Sequence, residues 1–449
     1  MEDPGNTKFL SKLRRQGIDV PQPSPIMGNI PEIKLNKSLV QCSENSCNNW
    51  KDPPSLDCSS ILFPYFKQWT KQYEHHVNDA LTFVTGKTFS FRLGTVPVLY
   101  VTDPELVREI NLCRSLDLGK PAYLQKDRGP LLGKGLITTN RAVWTHQRKT
   151  IAPNLYVDKD MLPVVIESAK ALVKSWECMV ESEGGVADIR VDEYLPTKNN
   201  REQWRLEKEI YSMIIHASKE CNRGTTAEAM IQILMQGAKH GELGPSTPEQ
   251  FVIDNCKDLY LAAFEVSGIS AIWGLMLLAS HPEWQERARA EQFWNDALDS
   301  HKLGKMKVLE MVVQEVLRLY PGVAFVSREA LQDVKLGKLV VPKGVNIWIW
   351  LLELQQDPKL GGADADKFNP GRFANGVSEA CKNSQAYIPF GVGARICPGQ
   401  SLAILEMRVM FAVILANFSL SLSPNYRHIP NFSLLLEPKY GVNLLVRKI

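Results

Sequence analysis

The sequence predicts one large domain, mainly α-helical with a small β portion. Three observations carry that expectation. Two long apolar stretches, residues 259–280 and 402–422, each contain charges: Glu265 in the first, Glu406 and Arg408 in the second. Charges at such depth are costly in lipid, so both stretches read as buried helices of a core and not as membrane spans. Residues 161–181 place apolar side chains at helical spacing and stop at Gly184-Gly185. Finally, Phe89, Phe91 and Leu93 alternate with Ser90 and Arg92, the period of a strand, and Val96 to Val101 reads as the returning strand after Gly94-Thr95.

The 449 residues are 44% hydrophobic and 22% charged, enough apolar material for a sizeable core. A formal charge of +3 is too balanced for a nucleic-acid binder. Nine cysteines at irregular spacings fit neither a disulfide framework nor zinc; Cys42, Cys47 and Cys58 read as free thiols in a loop over residues 37–60, in a reducing compartment.

The remaining elements follow along the chain. Lys8, Lys12, Arg14 and Arg15 precede Pro21, Pro23 and Pro25, so residues 1–35 read as a basic, stiff linker to a main domain over 36–449. Residues 61–77 are apolar enough for a helix, with His75-His76 on its surface. Asp103-Pro104 is a helix start, Asp as cap and Pro in the first turn. Residues 201–217 and 226–240 read as helices, Thr247-Pro248-Glu249 opens a long helix through Ser280, and His281-Pro282 opens the next. A helix over 307–320 precedes a hairpin over 334–345, with Pro342-Lys-Gly344 at its turn.

Several positions carry chemistry. Phe390-Gly-Val-Gly-Ala-Arg-Ile-Cys-Pro-Gly399 puts one cysteine, one arginine and an aromatic among glycines that let backbone approach a flat ligand. The apolar run after it places Cys397 before a buried helix, whose N-terminus favours the ionised thiol, and a thiolate is a strong ligand for haem iron. Trp144 and Arg148, four apart, share a helix face and can offer an indole N–H and a guanidinium to one anion. Glu315 and Arg318, three apart among Val312, Val316, Leu317 and Leu319, form a half-buried pair. Glu265 is a carboxylate inside an apolar helix, which is expensive unless solvated or hydrogen-bonded.

These residues resemble the motifs of the cytochrome P-450 superfamily. Phe390, Gly393, Arg395, Cys397 and Gly399 fill every defined position of its cysteine loop. The resemblance implies that Cys397 is the axial iron ligand of haem b, with Phe390 packed beside the sulfur. It also implies that Arg395, Trp144, Arg148 and Arg328 bind the haem propionates, and that Glu315, Arg318 and Arg372 form a structural lock needed for haem incorporation. Gln355 stands where relatives usually carry His. Ala262-Ala263-Phe264-Glu265-Val266-Ser267 resembles the oxygen-activation motif: Glu265 matches the acid that relays protons, Ala263 replaces a glycine, and Val266 replaces the threonine that delivers protons. Ser267 or Ser270 could supply that hydroxyl only from another angle. Ala263, Val266, Ala324, Phe325 and Val326 would line an apolar substrate pocket.

The implied activity is monooxygenation of a hydrophobic small molecule with O2 and electrons from an NADPH-cytochrome P-450 reductase. Tyr194-Leu-Pro-Thr-Lys-Asn-Asn-Arg and Ala386-Tyr-Ile-Pro-Phe resemble a plant group that includes gibberellin-oxidising enzymes, which implies a diterpenoid acid as substrate. Relatives of that type sit on the cytosolic face of the endoplasmic reticulum. Against them, this chain is expected to lack the N-terminal membrane anchor and several tens of residues near 193–194. Two rivals stand beside this reading: a haem-thiolate isomerase or dehydratase acting on a hydroperoxide, which Val266 favours, and a non-catalytic truncated isoform.

Overall fold

A computed structural model describes residues 4–21, 23–24, 27–34, 57–73, 88–156, 161–191, 209, 212–216, 226–291 and 300–449. Cys42, Cys47, His75-His76, the 193–194 junction and most of residues 201–217 lie outside them.

Helices dominate, as expected, and four of them frame the molecule's centre: α1 (Arg141–Ile151), α2 (Pro248–Ser280), α3 (Lys307–Leu319) and α4 (Gln400–Asn417). Helices α2 and α4 are long and apolar enough to cross a membrane by length and composition, but 67% of the apolar window of α2 is buried inside the protein. From Ile269 to Ala279 every residue of α2 is buried, because this half carries no charge and packs on α3, α4 and the strand Phe418–Leu422. Trp273 fixes the crossing. Its ring stacks on Tyr320 with centroids 4.1 Å apart, and its indole N–H donates to the Leu436 carbonyl at 2.8 Å. The Met161–Ser182 helix packs along α4 and ends where Gly184 and Gly185 take φ of 77° and 108°, values an L side chain resists.

The β portion is small. Its largest sheet runs Thr88–Leu93, Val96–Val101, Asn346–Trp350, Phe325–Ala330, Leu118–Gly119, with one parallel pair between Val96–Val101 and Asn346–Trp350. One face of it receives the Pro104–Leu112 helix through Val107 and Ile110. Asp103 caps that helix as read, its carboxylate accepting from Glu105 N at 2.7 Å and Leu106 N at 3.1 Å.

Five local expectations change. Residues 1–35 are not merely an extended linker: Pro4–Arg14 is a helix, and Leu13 and Ile18 are buried in the core beside the largest sheet, because this segment carries apolar residues at positions that reach it. The helix over 61–77 is two helices, Cys58–Leu62 and Pro64–Tyr73, because Pro64 cannot continue the first; Cys58 is thus a buried helical residue and not a loop thiol. The hairpin turns at Gly337 (φ 59°), pairing Val334–Leu336 with Leu339–Val341, while Pro342–Val345 forms the next turn. The apolar run 402–422 is a helix only to Asn417; Phe418–Leu422 joins a three-stranded sheet beside Asn443–Lys448. Lastly, α2 is not uniform: Leu261–Val266 is a π-helical segment.

Candidate functional site

A cavity of about 810 Å3 opens between α1, α2, α4 and the Phe325–Ala330 strand. Cys397 stands on its wall, in the loop that leads into α4. The loop closes on itself: Cys397 N donates to the Phe390 carbonyl at 2.9 Å, and Ile396 N to that of Gly393 at 3.1 Å. Gly393 (φ 70°) donates its own N–H to Asn111 Oδ1 at 2.9 Å, and a Cβ there would meet the Ile110 carbonyl at 3.2 Å. Gly399 also borders the cavity, and a Cβ on it would meet nothing within 4 Å, so the open side of the loop faces the void. Burial pushes the Cys397 thiol above its usual range; the Gly399 N–H, Arg148 and Lys120 pull the other way with less effect. The helix-terminus expectation of an ionised thiol is therefore overruled by desolvation, and ionisation here needs a bound cation such as a metal.

Four cations flank this wall: Lys120, Arg148, Arg328 and Arg395. Among the described residues none of them pairs with a carboxylate. Arg395 donates to the Thr139 carbonyl at 3.1 Å and to Asn140 Oδ1 at 2.8 Å, and its guanidinium lies 4.3 Å from the Trp144 ring centroid. The cation on the Trp144 face is thus Arg395, while Arg148 donates to the Ile396 carbonyl from the next turn of α1. Among the described residues Arg328 bonds only carbonyls, Ser327 O at 2.8 Å and Val392 O at 3.4 Å. The crowding shows in their acidities. Arg395 is drawn down to about 9 by burial, Arg328 and Arg148, and Arg328 to about 10 by burial. Lys120 falls to about 7 through burial and repulsion from Arg328 and Arg395. Uncompensated buried cations are expensive, and a ligand carrying two carboxylates beside a flat apolar body would relieve them. The residues present therefore fit a haem.

The other anticipated groups are placed as follows. Phe390, Arg395, Trp144, Arg148, Arg328, Ala263, Val266, Ser267, Phe325 and Val326 all line the cavity. Ala324 does not: it is fully buried, and its carbonyl accepts from Leu351 N at 3.0 Å. Glu265 is also off the wall. It is half-buried, and burial together with the neighbouring Glu437 raises its carboxyl. Ser267 donates to the carboxylate of Glu406 on α4.

Glu315 lies wholly buried beneath the site. Arg318 grips both its oxygens, Nε to Oε2 at 2.6 Å and Nη2 to Oε1 at 2.9 Å, with Arg372 Nε 3.7 Å from Oε2. Gln355, in the position where a His was expected, contributes to this lock. It donates to the carbonyls of Leu317 and Arg318 and accepts from Ile388 N at 3.1 Å, joining α3 to the approach to the cysteine loop.

With this geometry in view the comparisons are decisive. The family model for Cytochrome P450 matches residues 53–195 and 189–445. The chain belongs to the cytochrome P450 family. It is similar to Cytochrome P450 714C2 of Oryza sativa subsp. japonica, 40% identical over 499 aligned positions, covering 98% of this chain and 93% of the relative. Cytochrome P450 714D1 of the same species is 36% identical, covering 97% and 89%, and Cytochrome P450 714A2 of Arabidopsis thaliana 34%, covering 98% and 93%. As a cytochrome P450 the protein is a haem monooxygenase, an oxidoreductase that uses O2, takes electrons from a redox partner and acts on a hydrophobic substrate.

Among the residues that sequence reading missed are Lys120 and Asp258, on the wall of this P450's cavity, and Asn140, beside it. Asn140 ties Lys120 to Arg395, its Oδ1 accepting from Lys120 N at 2.6 Å and from Arg395 at 2.8 Å.

Proposed function

We propose that this P450 hydroxylates or epoxidises a diterpenoid such as a gibberellin, on the cytosolic face of the endoplasmic reticulum, with electrons from an NADPH-cytochrome P-450 reductase. The observation that carries the reading is the cavity itself: Cys397 on one wall, beside it four cations with no carboxylate partner among the described residues, and an apolar remainder formed by residues such as Leu124, Val266, Phe325 and Phe432.

In this reading Cys397 holds the iron of haem b, and Arg395, Arg328, Arg148 and Lys120 hold its propionates. Trp144 steadies Arg395 through its ring face. The bound haem supplies the chemistry, activating O2 and inserting one oxygen atom into the substrate. The chain orients and dries the reaction. Phe325 and Val326 press the substrate toward the cysteine wall, and the apolar lining excludes water. Val266 offers no donor at its turn of α2 and Ser267 is engaged by Glu406, so protons reach the cavity through Ser270 or through water recruited by Glu265. The resemblance of two short stretches to the gibberellin-oxidising group supports the diterpenoid choice.

Two measurements test it. Reduced, CO-treated protein should show the Soret band of thiolate ligation; a spectrum of nitrogen ligation, or no haem at all, would discard the Cys397 assignment. Protein reconstituted with a plant reductase should then add one oxygen atom to gibberellins or other C19–C20 diterpenoids only when NADPH is present. Turnover of a hydroperoxide without NADPH would select the isomerase reading, which Val266 favours.

A further inference from the structure

Arg128 is a cation that the haem leaves over. It lines the cavity but lies on the Ala122–Leu132 helix, apart from the four cations that flank Cys397. That helix starts at the cation cluster: Lys120 stands just before it, and Ala122 N donates to Glu329, the neighbour of Arg328, at 2.7 Å. Arg128 is six residues further on, roughly 9 Å along the axis at about 1.5 Å per residue. Leu124 and Arg128, four apart, share the face that fronts the cavity, while Gln125, Lys126 and Gly129 front a separate pocket. The guanidinium reaches across to the opposite lip. Its Nη2 donates to the Ser433 carbonyl at 3.4 Å, in a turn whose Phe432, Ser433 and Leu434 also line the cavity. Arg128 and Ser433 are both exposed, so their contact forms part of the rim.

One long hydrogen bond to a neutral carbonyl uses little of a guanidinium's donor fork, and among the described residues no carboxylate pairs with Arg128. Solvent serves the remaining donors while the rim is open. A carboxylate serves them better, because the planar fork meets both its oxygens at once. We infer that Arg128 is a specificity contact for a carboxylate on an otherwise apolar substrate, holding that acid at the rim while the apolar body fills the cavity. The neighbours select this ligand. Leu124, Phe432 and Leu434 line the cavity beside the guanidinium and suit an apolar body joined directly to the acid. A ligand amine is repelled, and a neutral ester forms no ion pair. Arg128 is a binding residue here. The inference rests on the proposed diterpenoid substrate and adds the charged end that this substrate must carry.

The test uses the full chain loaded with haem and calorimetric titration with dehydroabietic acid, its methyl ester and its primary alcohol. At about pH 7.5, well above ordinary carboxyl values, the acid is ionised. Wild type is expected to bind the acid about fivefold more tightly than the ester, the upper range for an ion pair open to water. The margin should shrink below about twofold in about 1 M salt, which screens an exposed pair. Arg128→Gln should level acid and ester, with unchanged haem content and thiolate Soret band as the check on folding. Arg128→Lys should restore part of the preference, keeping the charge without the fork, and Arg128→Glu should favour the ester. Equal binding of acid and ester by wild type overturns the contact. So does a preference that survives in Arg128→Gln, which would hand the acid to the Lys120 cluster, and so does loss of haem from that variant, which would place Arg128 among the propionate cations. Failure of all three compounds to bind wild type overturns the diterpenoid reading and the contact with it.

Discussion

Arg395 and Trp144 meet face to cation across the cavity wall, from the cysteine loop and from α1, 4.3 Å apart. A desolvated contact of this kind contributes about 2 kcal/mol, and it orients the one arginine of the cluster whose two nitrogens are already spent on Thr139 and Asn140. Trp144→Ala should therefore speed haem loss to a scavenger such as apomyoglobin by tenfold or more, with Trp144→Phe intermediate. Equal loss rates for all three proteins would show that the stacking does nothing for haem retention.

Lys120 gives the cation cluster a pH signature. Its folded value, about 7, lies below the unfolded value of 10.5. The sign follows from proton counting: between these values the unfolded chain binds the extra proton, so raising pH favours the folded state. Below about 7 both states are charged and the full penalty applies. Haem-free Lys120→Met should thus be more stable than wild type at pH 6, and its advantage should fade across pH 7 to 10.5. Thermal melts at four pH values check this; an advantage that grows with pH would refute it.

The lock beneath the site should respond asymmetrically. Glu315→Gln leaves Arg318 buried without its counter-charge, which costs roughly 3–5 kcal/mol. Gln355→Ala orphans two carbonyls and the Ile388 N–H, at roughly 1–3 kcal/mol for each unsatisfied group before relaxation. Urea unfolding should rank both below wild type, and Glu315→Gln should be recovered with little haem. Full haem content in that variant would contradict a role in haem incorporation.

Much of this was legible in the residues. Cys397, Arg395, Trp144, Arg148 and Arg328 converge because each lies in a short motif whose spacing defines its own turn. Lys120 was invisible: a lysine before proline looks like any surface lysine, and only the fold brings Arg328 and Arg395 beside it. Asp258 could have been found, since the argument that singled out Glu265, a carboxylate on an apolar helix, applies equally to it. The placement of Glu265 has a geometric cause. In a regular helix of 3.6 residues per turn, positions 258, 262, 265 and 269 would share a face. The π-helical turn over Leu261–Val266 widens the spacing, and the cavity instead receives Asp258, Ala262, Val266 and Ser270, four residues apart. Sequence carries no signal for that turn. The helix-to-strand change at Asn417 and Phe418 was hidden for a similar reason: no glycine or proline marks it.

The same π turn makes Val266 the most informative position left to change. Its side chain faces the cavity and packs against Gly322, where a Cβ would come within 2.5 Å of Val266 Cγ1. Threonine has nearly the same shape, so Val266→Thr should fold, and its hydroxyl can rest on the preceding turn's carbonyl when no ligand calls on it. The wild-type cavity presents Ser267 already bonded to Glu406, so a new donor at 266 adds a hydroxyl one turn before Ser270. The expected result is more product formed for each NADPH consumed and less hydrogen peroxide released, with substrate affinity changed less than threefold. If the ratio stays flat in Val266→Thr but drops in Ser270→Ala, the proton route runs through Ser270 and the valine is merely part of the wall.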